Sequence, residues 1–347
     1  LGVVLLTCIW LGNSRKSPYF QRTSLDYPLL VLFGLGFISA VFSVYKHASI
    51  MELYRLLCLA AIYYLVVNNI DSRKKLNRIV AGAILIGGFL AFSGLLDYAE
   101  RLKETWPRMP LPLTAFYVNK NHFAGYLSMI LPVTLTTGVL KRDRARRLFF
   151  LFLFLLMALA VFLSRSWGAW MALIFSLFLL GLMLTHRYRK EFLVGGGLFL
   201  FFLLWLAFPF IRGKGDSRAL IWGSTLFLIK NNLWLGTGPG TFQYALPGYW
   251  VSSLPYKVKY AHNDYLHMVS EFGILSLVPL FWGMGNLYRS IRRKISGKFR
   301  LTIAGITAGL SAVLIHSMVE FNLHILSNAI LFVVFLGLIN SRSISHG

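Results

Sequence analysis

Charge is scarce in this sequence, and acidic charge scarcest of all. Only 14% of the 347 residues are charged, with 12 Asp and Glu against 35 Lys and Arg. A soluble domain carries about 25% charged residues, so a water-soluble globular protein is excluded. With 57% hydrophobic residues and a mean hydropathy of +0.65, the chain reads as an integral membrane protein. Strand-like alternation over about ten residues is also missing, which excludes an outer-membrane barrel. Cysteine is limited to Cys8 and Cys58, both inside apolar runs, so no disulfide framework is expected. The opening run LGVVLLTCIW lacks the charged start of a signal peptide and reads as a truncated first span.

What the sequence does have is a succession of apolar runs near the roughly 20 residues that a membrane-crossing helix needs. Candidate spans are 1–12 (partial), 28–45, 50–69, 79–97, 122–140, 148–163, 167–185, 191–211, 265–287, 301–319 and 324–340. The fold class is therefore all-α, a polytopic integral membrane helical bundle of about 11 spans forming a single domain over 1–347. The net charge of +23 does not point to nucleic acid, because its Lys and Arg lie in short clusters between the runs. Six alternate connections, GNSRKSPYFQRTSLDY, DSRKKLNR, KRDRARR, HRYRK, YRSIRRKISGKFR and SRSISHG, hold 22 of the 35. The positive-inside rule makes these six cytoplasmic.

The opposite face then receives 46–49, 98–121, 164–166, a long loop at 212–264 and 320–323. The polar groups of interest all fall there. The loop is rich in aromatic residues, among them Trp222, Trp234, Phe242 and Trp250, and is expected to fold over the bundle. Within it, 218–230 is expected as an amphipathic interfacial helix.

The densest polar stretch is AHNDYLHMVSEFG, 261–273. A neutral histidine suits general-base work at an aqueous boundary, and His262 is the candidate. Metal ligation and a structural role compete with that reading. His262 and His267 are five apart, about 140° around a helix, so they do not form the i, i+4 pair of a helical zinc site. Asn263 and His267 are spaced to brace each other. Arg165, in LSRSWGAW, sits where two apolar runs meet, and an arginine at that depth is expensive; it acts on substrate or snorkels from a hairpin. Arg218 offers a fork of donors suited to phosphate oxygens, or anchors the interface beside Trp222. GTGPGTF, 236–242, lacks the Gly-Lys-Ser/Thr of a phosphate loop and reads as a turn whose glycines let backbone pass close to the bundle. Lys120, Asn121, His122 and Glu320 complete the polar ends, with helix capping as the bland reading of the amide and histidine side chains.

Taken in order, NKNHFAGYL, LSRSWGAW, Arg218 with Trp222 leading to LGTGPGTF, AHNDYL with EFG, and HSMVEFNLHI resemble the O-antigen ligase and polymerase family of bacterial envelope glycan enzymes, over roughly 115–330. The resemblance implies a metal-independent, cofactor-free glycosyltransferase of the bacterial inner membrane with its active site on the periplasmic face. Its donor would be an undecaprenyl-diphosphate-linked glycan and its acceptor a sugar hydroxyl on a lipid or glycan, with membrane lipids around it and no nucleic acid. In that frame Arg165 and Arg218 correspond to the family's catalytic arginines and His262 to its histidine. Lys120, Asn121, His122, Asn263 and Glu320 would bind diphosphate or acceptor, or support those that do. A polymerase or a protein O-glycan ligase is the alternative within the family. An anion or solute transporter is the alternative outside it, but the internal repeat common to transporters is not evident.

Overall fold

Short polar side chains standing just ahead of apolar runs set where several helices begin. In the computed structural model, Ser72, Asn119, Asp143 and Asn263 each accept a backbone N–H two or three residues on. They satisfy donors that a helix start leaves without an intrahelical partner. The structure describes residues 20–109, 111–185, 217–250, 258–295 and 297–341, with positions 197 and 344.

Among these the architecture is all-helical. In order come α1 (Asp26–Val41), α2 (Lys46–Asn69), α3 (Arg73–Thr105), α4 (Lys120–Val139), α5 (Arg144–Leu163) and α6 (Trp167–Leu184). Then follow α7 (Ser217–Asn231), the short α8 (Phe242–Ala245), α9 (Asp264–Phe272), α10 (Leu277–Lys294), α11 (Arg300–His316) and α12 (Leu326–Asn340). One-turn 3₁₀ segments lie at Leu246–Tyr249, Ile274–Ser276 and Asn322–His324.

Helices α2, α3, α5 and α6 are long and apolar enough to cross a membrane, while α1, α11 and α12 are apolar but shorter. Their outer faces expose side chains such as Phe37, Ile50, Phe89, Phe92, Phe152 and Leu155, as a lipid-facing surface requires. The expected spans 1–12 and 191–211 lie outside the described residues. The expected span 265–287 is not one helix. It breaks at Gly273, whose φ of +76° places it in the left-handed region. A Cβ at that position would stand 2.0 Å from the Trp234 carbonyl oxygen, so the chain must turn there without a side chain. The nine residues of α9 cover about 13 Å, too short to cross. The span expected at 79–97 runs past both its ends as α3, and 218–230 is helical but not one-sided. In that helix Ile221, Leu228 and Ile229 are buried while Leu220, Leu226 and Phe227 are exposed.

The hub is α4, buried on nearly every side. It meets α11 where Gly305 and Gly309 let backbones touch: a Cβ at Gly309 would come within 2.2 Å of the Met129 carbonyl oxygen. Close approach through small residues is how helices associate where no hydrophobic drive separates them from lipid. Helix ends collect at two poles. At one, Gln21 hydrogen-bonds to Asn68 and Asn340, Lys294 to the Ile339 carbonyl and Arg300 to Leu184. At the other, Leu113 N–H donates to Leu163, Val44 to Thr237, and Asp264 to Ser317. The second pole carries the polar cluster. The described loop residues add a small core there, built on Ile221, Phe242, Leu246 and Ala261.

Candidate active site

At the second pole one carboxylate joins the starts of three helices. The turn after α11 carries Glu320, whose side chain is 1% exposed. Arg218, in the first turn of α7, donates from a terminal guanidinium nitrogen to its Oε1. Asn121, in the first turn of α4, donates from Nδ2 to the same oxygen at 2.5 Å. His262 Nδ1 lies 3.2 Å from Oε2. Arg218 and His262 keep side-chain exposures of 31% and 28%, so the carboxylate is sealed while its partners face the open side. Burial alone would raise the Glu320 pKa, but the hydrogen bond from His262 and the charge of Arg218 outweigh it and hold the carboxyl below its ordinary value.

Local sequence explains the convergence. One turn beyond Arg218, the Trp222 indole donates to the Ala261 carbonyl at 2.9 Å, which fixes His262 beside α7. Asn263 caps α9 by accepting from the N–H groups of Tyr265 and Leu266. Asp264 then stitches α9 to the Glu320 turn, donating its N–H to Ser317 and accepting from the Leu323 N–H at 3.0 Å. Phe321 stands between two histidines, its ring 4.4 Å from His122 and 4.9 Å from His262.

On the other flank, the Arg165 turn joins α5 to α6. Lys120 Nζ donates to the Arg165 carbonyl at 3.2 Å, and the Arg165 guanidinium approaches the Tyr98 hydroxyl at 3.4 Å. Lys120 is near enough to feel Arg165, Arg218 and Glu320 electrostatically. Arg218 pairs with the buried acid, Lys120 lies within electrostatic reach of it, and Arg165 stands behind Lys120. Arg165 and His262 also share a backbone peculiarity, positive φ angles of 51° and 49°. A non-glycine residue in that region costs about 1–2 kcal/mol and is held there only by its surroundings.

Behind this layer lies a second set of buried ionic groups. Asp264 Oδ1 pairs with His324 Nδ1 at 2.7 Å. Glu271 accepts from the N–H groups of Gly240 and Phe242, at 2.7 and 3.0 Å, and from His267 Nε2 at 3.2 Å. The GTGPGTF turn therefore does cradle an anion, but the anion is the protein's own Glu271. Its glycines lie against the bundle as expected: a Cβ at Gly236 would stand 2.4 Å from the Glu271 carbonyl oxygen. These groups border an apolar cavity of about 320 Å³ between α1, α2, α9 and α12.

Among the residues singled out from sequence, Arg218, His262, Asn121 and Glu320 form one cluster centred on the carboxylate, and Lys120 and Arg165 flank it. His122 is buried against Phe321 and faces no open space. The expected bracing of His267 by Asn263 is not formed. Asn263 spends its oxygen on capping α9, and His267 is engaged instead by the Ala261 N–H and Glu271. Among the described residues no group of three or more His, Cys, Asp or Glu is placed to hold a metal ion. Asp264 and Glu271 had no role assigned from sequence. The scarcity of acids was the available signal, since a carboxylate buried in an apolar bundle must have donors built for it.

Part of this cluster lies in a stretch similar to a known family. Residues 152–281 match the family model described as O-Antigen ligase. The O-antigen ligase match takes in Arg165, Arg218, His262 and the glycine turn, a little over a third of the chain. Lys120, Asn121 and Glu320, supplied by α4 and the turn after α11, complete the cluster from outside it. No curated protein matches the chain.

Proposed function

We propose that this protein is a membrane glycosyltransferase of the O-antigen ligase type, moving a glycan from undecaprenyl diphosphate to an acceptor sugar hydroxyl on the periplasmic face of the bacterial inner membrane. The observation that carries this reading is the meeting of Arg218, His262 and Asn121 on Glu320, with Lys120 and Arg165 beside them. Its bias is cationic, with one general-base candidate, and both arginines and His262 lie in the O-antigen ligase match.

In the proposed reaction the acceptor oxygen attacks the anomeric carbon as the bond from that carbon to the diphosphate oxygen breaks. Charge builds on the leaving diphosphate, and Arg218 and Arg165 receive it. Donors preorganised for such charge are worth about 3–4 kcal/mol each. With Nδ1 turned to Glu320, His262 presents Nε2 to the acceptor hydroxyl and takes its proton, a contribution of about 10²–10⁴-fold. The carboxylate fixes the tautomer and steadies the imidazolium, as in other acid–histidine pairs. Direct displacement inverts the anomeric centre and requires no metal. The apolar bundle and its cavity suit the polyprenyl chain.

The test is incubation of purified protein with a defined undecaprenyl-diphosphate-linked glycan and candidate acceptors, with the product identified by mass. Transfer to a lipid-linked core sugar supports a ligase, and chain extension supports the polymerase alternative. Absence of any transfer from a panel of lipid-linked donors, with folded protein, would overturn the reading.

A further inference from the structure

Glu320 serves both halves of the proposed site at once. Its Oε1 faces the Arg218 guanidinium and its Oε2 faces His262. A carboxylate oxygen accepting from an arginine nitrogen occupies the place that a phosphate oxygen takes in anion recognition. Resting on the reading of Arg218 as the donor-diphosphate residue and His262 as the base, we propose that Glu320 is an internal stand-in for the diphosphate. It holds Arg218 until a donor takes the guanidinium, and the released carboxylate then serves His262.

Three features support the handover. The carboxylate is buried and also held by Asn121, whereas Arg218 is 31% exposed, so the guanidinium is the partner that can turn outward. The charged and titratable groups around Glu320 come from every neighbouring element: Lys120 and His122 from α4, Arg218 from α7, His262 before α9, and His316 from α11. Arg218 is the permanently charged group paired with Glu320, so its departure takes a full positive charge away from the carboxylate. The arriving diphosphate adds negative charge of its own. Both changes leave Oε2 of the carboxylate to orient the His262 imidazole and to offset the charge it gains during transfer.

Removing the stand-in should therefore tighten anion binding while slowing transfer, a pair of effects that a merely structural residue would not produce. The experiment is titration of the full chain in detergent with inorganic pyrophosphate and with farnesyl diphosphate by calorimetry. Glu320→Gln is expected to bind both more tightly than wild type, by roughly 5- to 100-fold, while glycan transfer falls. Glu320→Asp, with a shorter reach to Arg218, tests the same point if the glutamine variant unfolds; it should bind pyrophosphate several-fold tighter. Equal or weaker binding in the Glu320 variants, with binding still abolished by Arg218→Ala, overturns the handover and leaves the diphosphate site standing. Binding that survives Arg218→Ala overturns the donor assignment itself, and the handover with it.

Discussion

Arg218 and Glu320, 102 residues apart in the chain, meet in an ion pair whose carboxylate is almost wholly buried. The pair ties α7 to the turn after α11 and sets the charge of the open pole. Replacing Arg218 by Ala leaves the buried carboxylate with Asn121 and His262 alone, an under-satisfied acceptor costing about 1–3 kcal/mol. We expect Arg218→Ala to lower the unfolding midpoint in detergent and to abolish transfer. Arg218→Lys should keep most of the stability, yet transfer should fall by about 10²-fold or more, the effect of removing one preorganised donor. A lysine variant with full activity would show that charge alone, and not the planar fork, matters here.

The Asp264–His324 pair makes a pH-dependent contribution to stability. Burial alone would lower His324, but the hydrogen bond and charge of Asp264 raise its pKa above the usual 6.5. Burial likewise pushes Asp264 up, and the hydrogen bond from His324 leads the effects that hold it below 3.8. A raised histidine stabilises fully below its unfolded value and loses this as pH rises through the folded one; a lowered aspartate stabilises above its unfolded value and loses this as pH falls. The contribution is therefore complete between about pH 3.8 and 6.5 and declines on either side. Unfolding midpoints of wild type and His324→Gln, compared from pH 5 to 9, should differ most near pH 5 and converge toward alkaline pH. A constant difference would contradict the pairing.

Much of this was legible in the sequence, and the misses have physical causes. Apolar run length and scarce charge give the helices at α2, α3, α5 and α6, because lipid leaves a chain few other options. The positions of Arg165, Arg218 and His262 at run ends are visible for the same reason. Convergence on Glu320 is not, since Asn121, Arg218 and His262 come from three separate parts of the chain and no spacing links them. The break at Gly273 is hidden because EFGILSLVPL stays apolar through it; only the close approach of Trp234, about 40 residues earlier, makes glycine necessary. The i, i+4 spacing of Asn263 and His267 suggests a side-chain pair, whereas a short polar side chain at a helix start prefers the backbone.

Glu271 offers a test of the second buried layer. It accepts from two backbone N–H groups and one imidazole, with no exposure to exchange for water. In Glu271→Gln the amide NH₂ must face either Gly240 or the Phe242–His267 side, donor against donor, for a cost of about 1–3 kcal/mol. The glycine turn should loosen from α9. Unfolding in detergent and proteolysis within 236–242 would report it, with Glu271→Gln cleaved faster than wild type. Unchanged proteolysis would mean that the glycines, and not the carboxylate, hold the turn.

The left-handed backbones of Arg165 and His262 separate conformation from chemistry. At such a φ, alanine keeps the Cβ clash while glycine removes it, a difference of about 1–2 kcal/mol, partly offset by glycine's greater freedom when unfolded, about 0.5–1 kcal/mol. Arg165→Gly and His262→Gly should accordingly be more stable than the matching alanine variants by up to about 1 kcal/mol, the reverse of the order found inside a helix. Both substitutions delete the functional group, so transfer should be lost equally in the glycine and alanine variants. Strain retained at the two residues assigned to leaving-group and base chemistry would then be a cost kept for positioning. If alanine proved the more stable at both sites, the backbone would be relaxed there and the positioning argument would fail; if the His262→Gly variant retained transfer, His262 would not be the base.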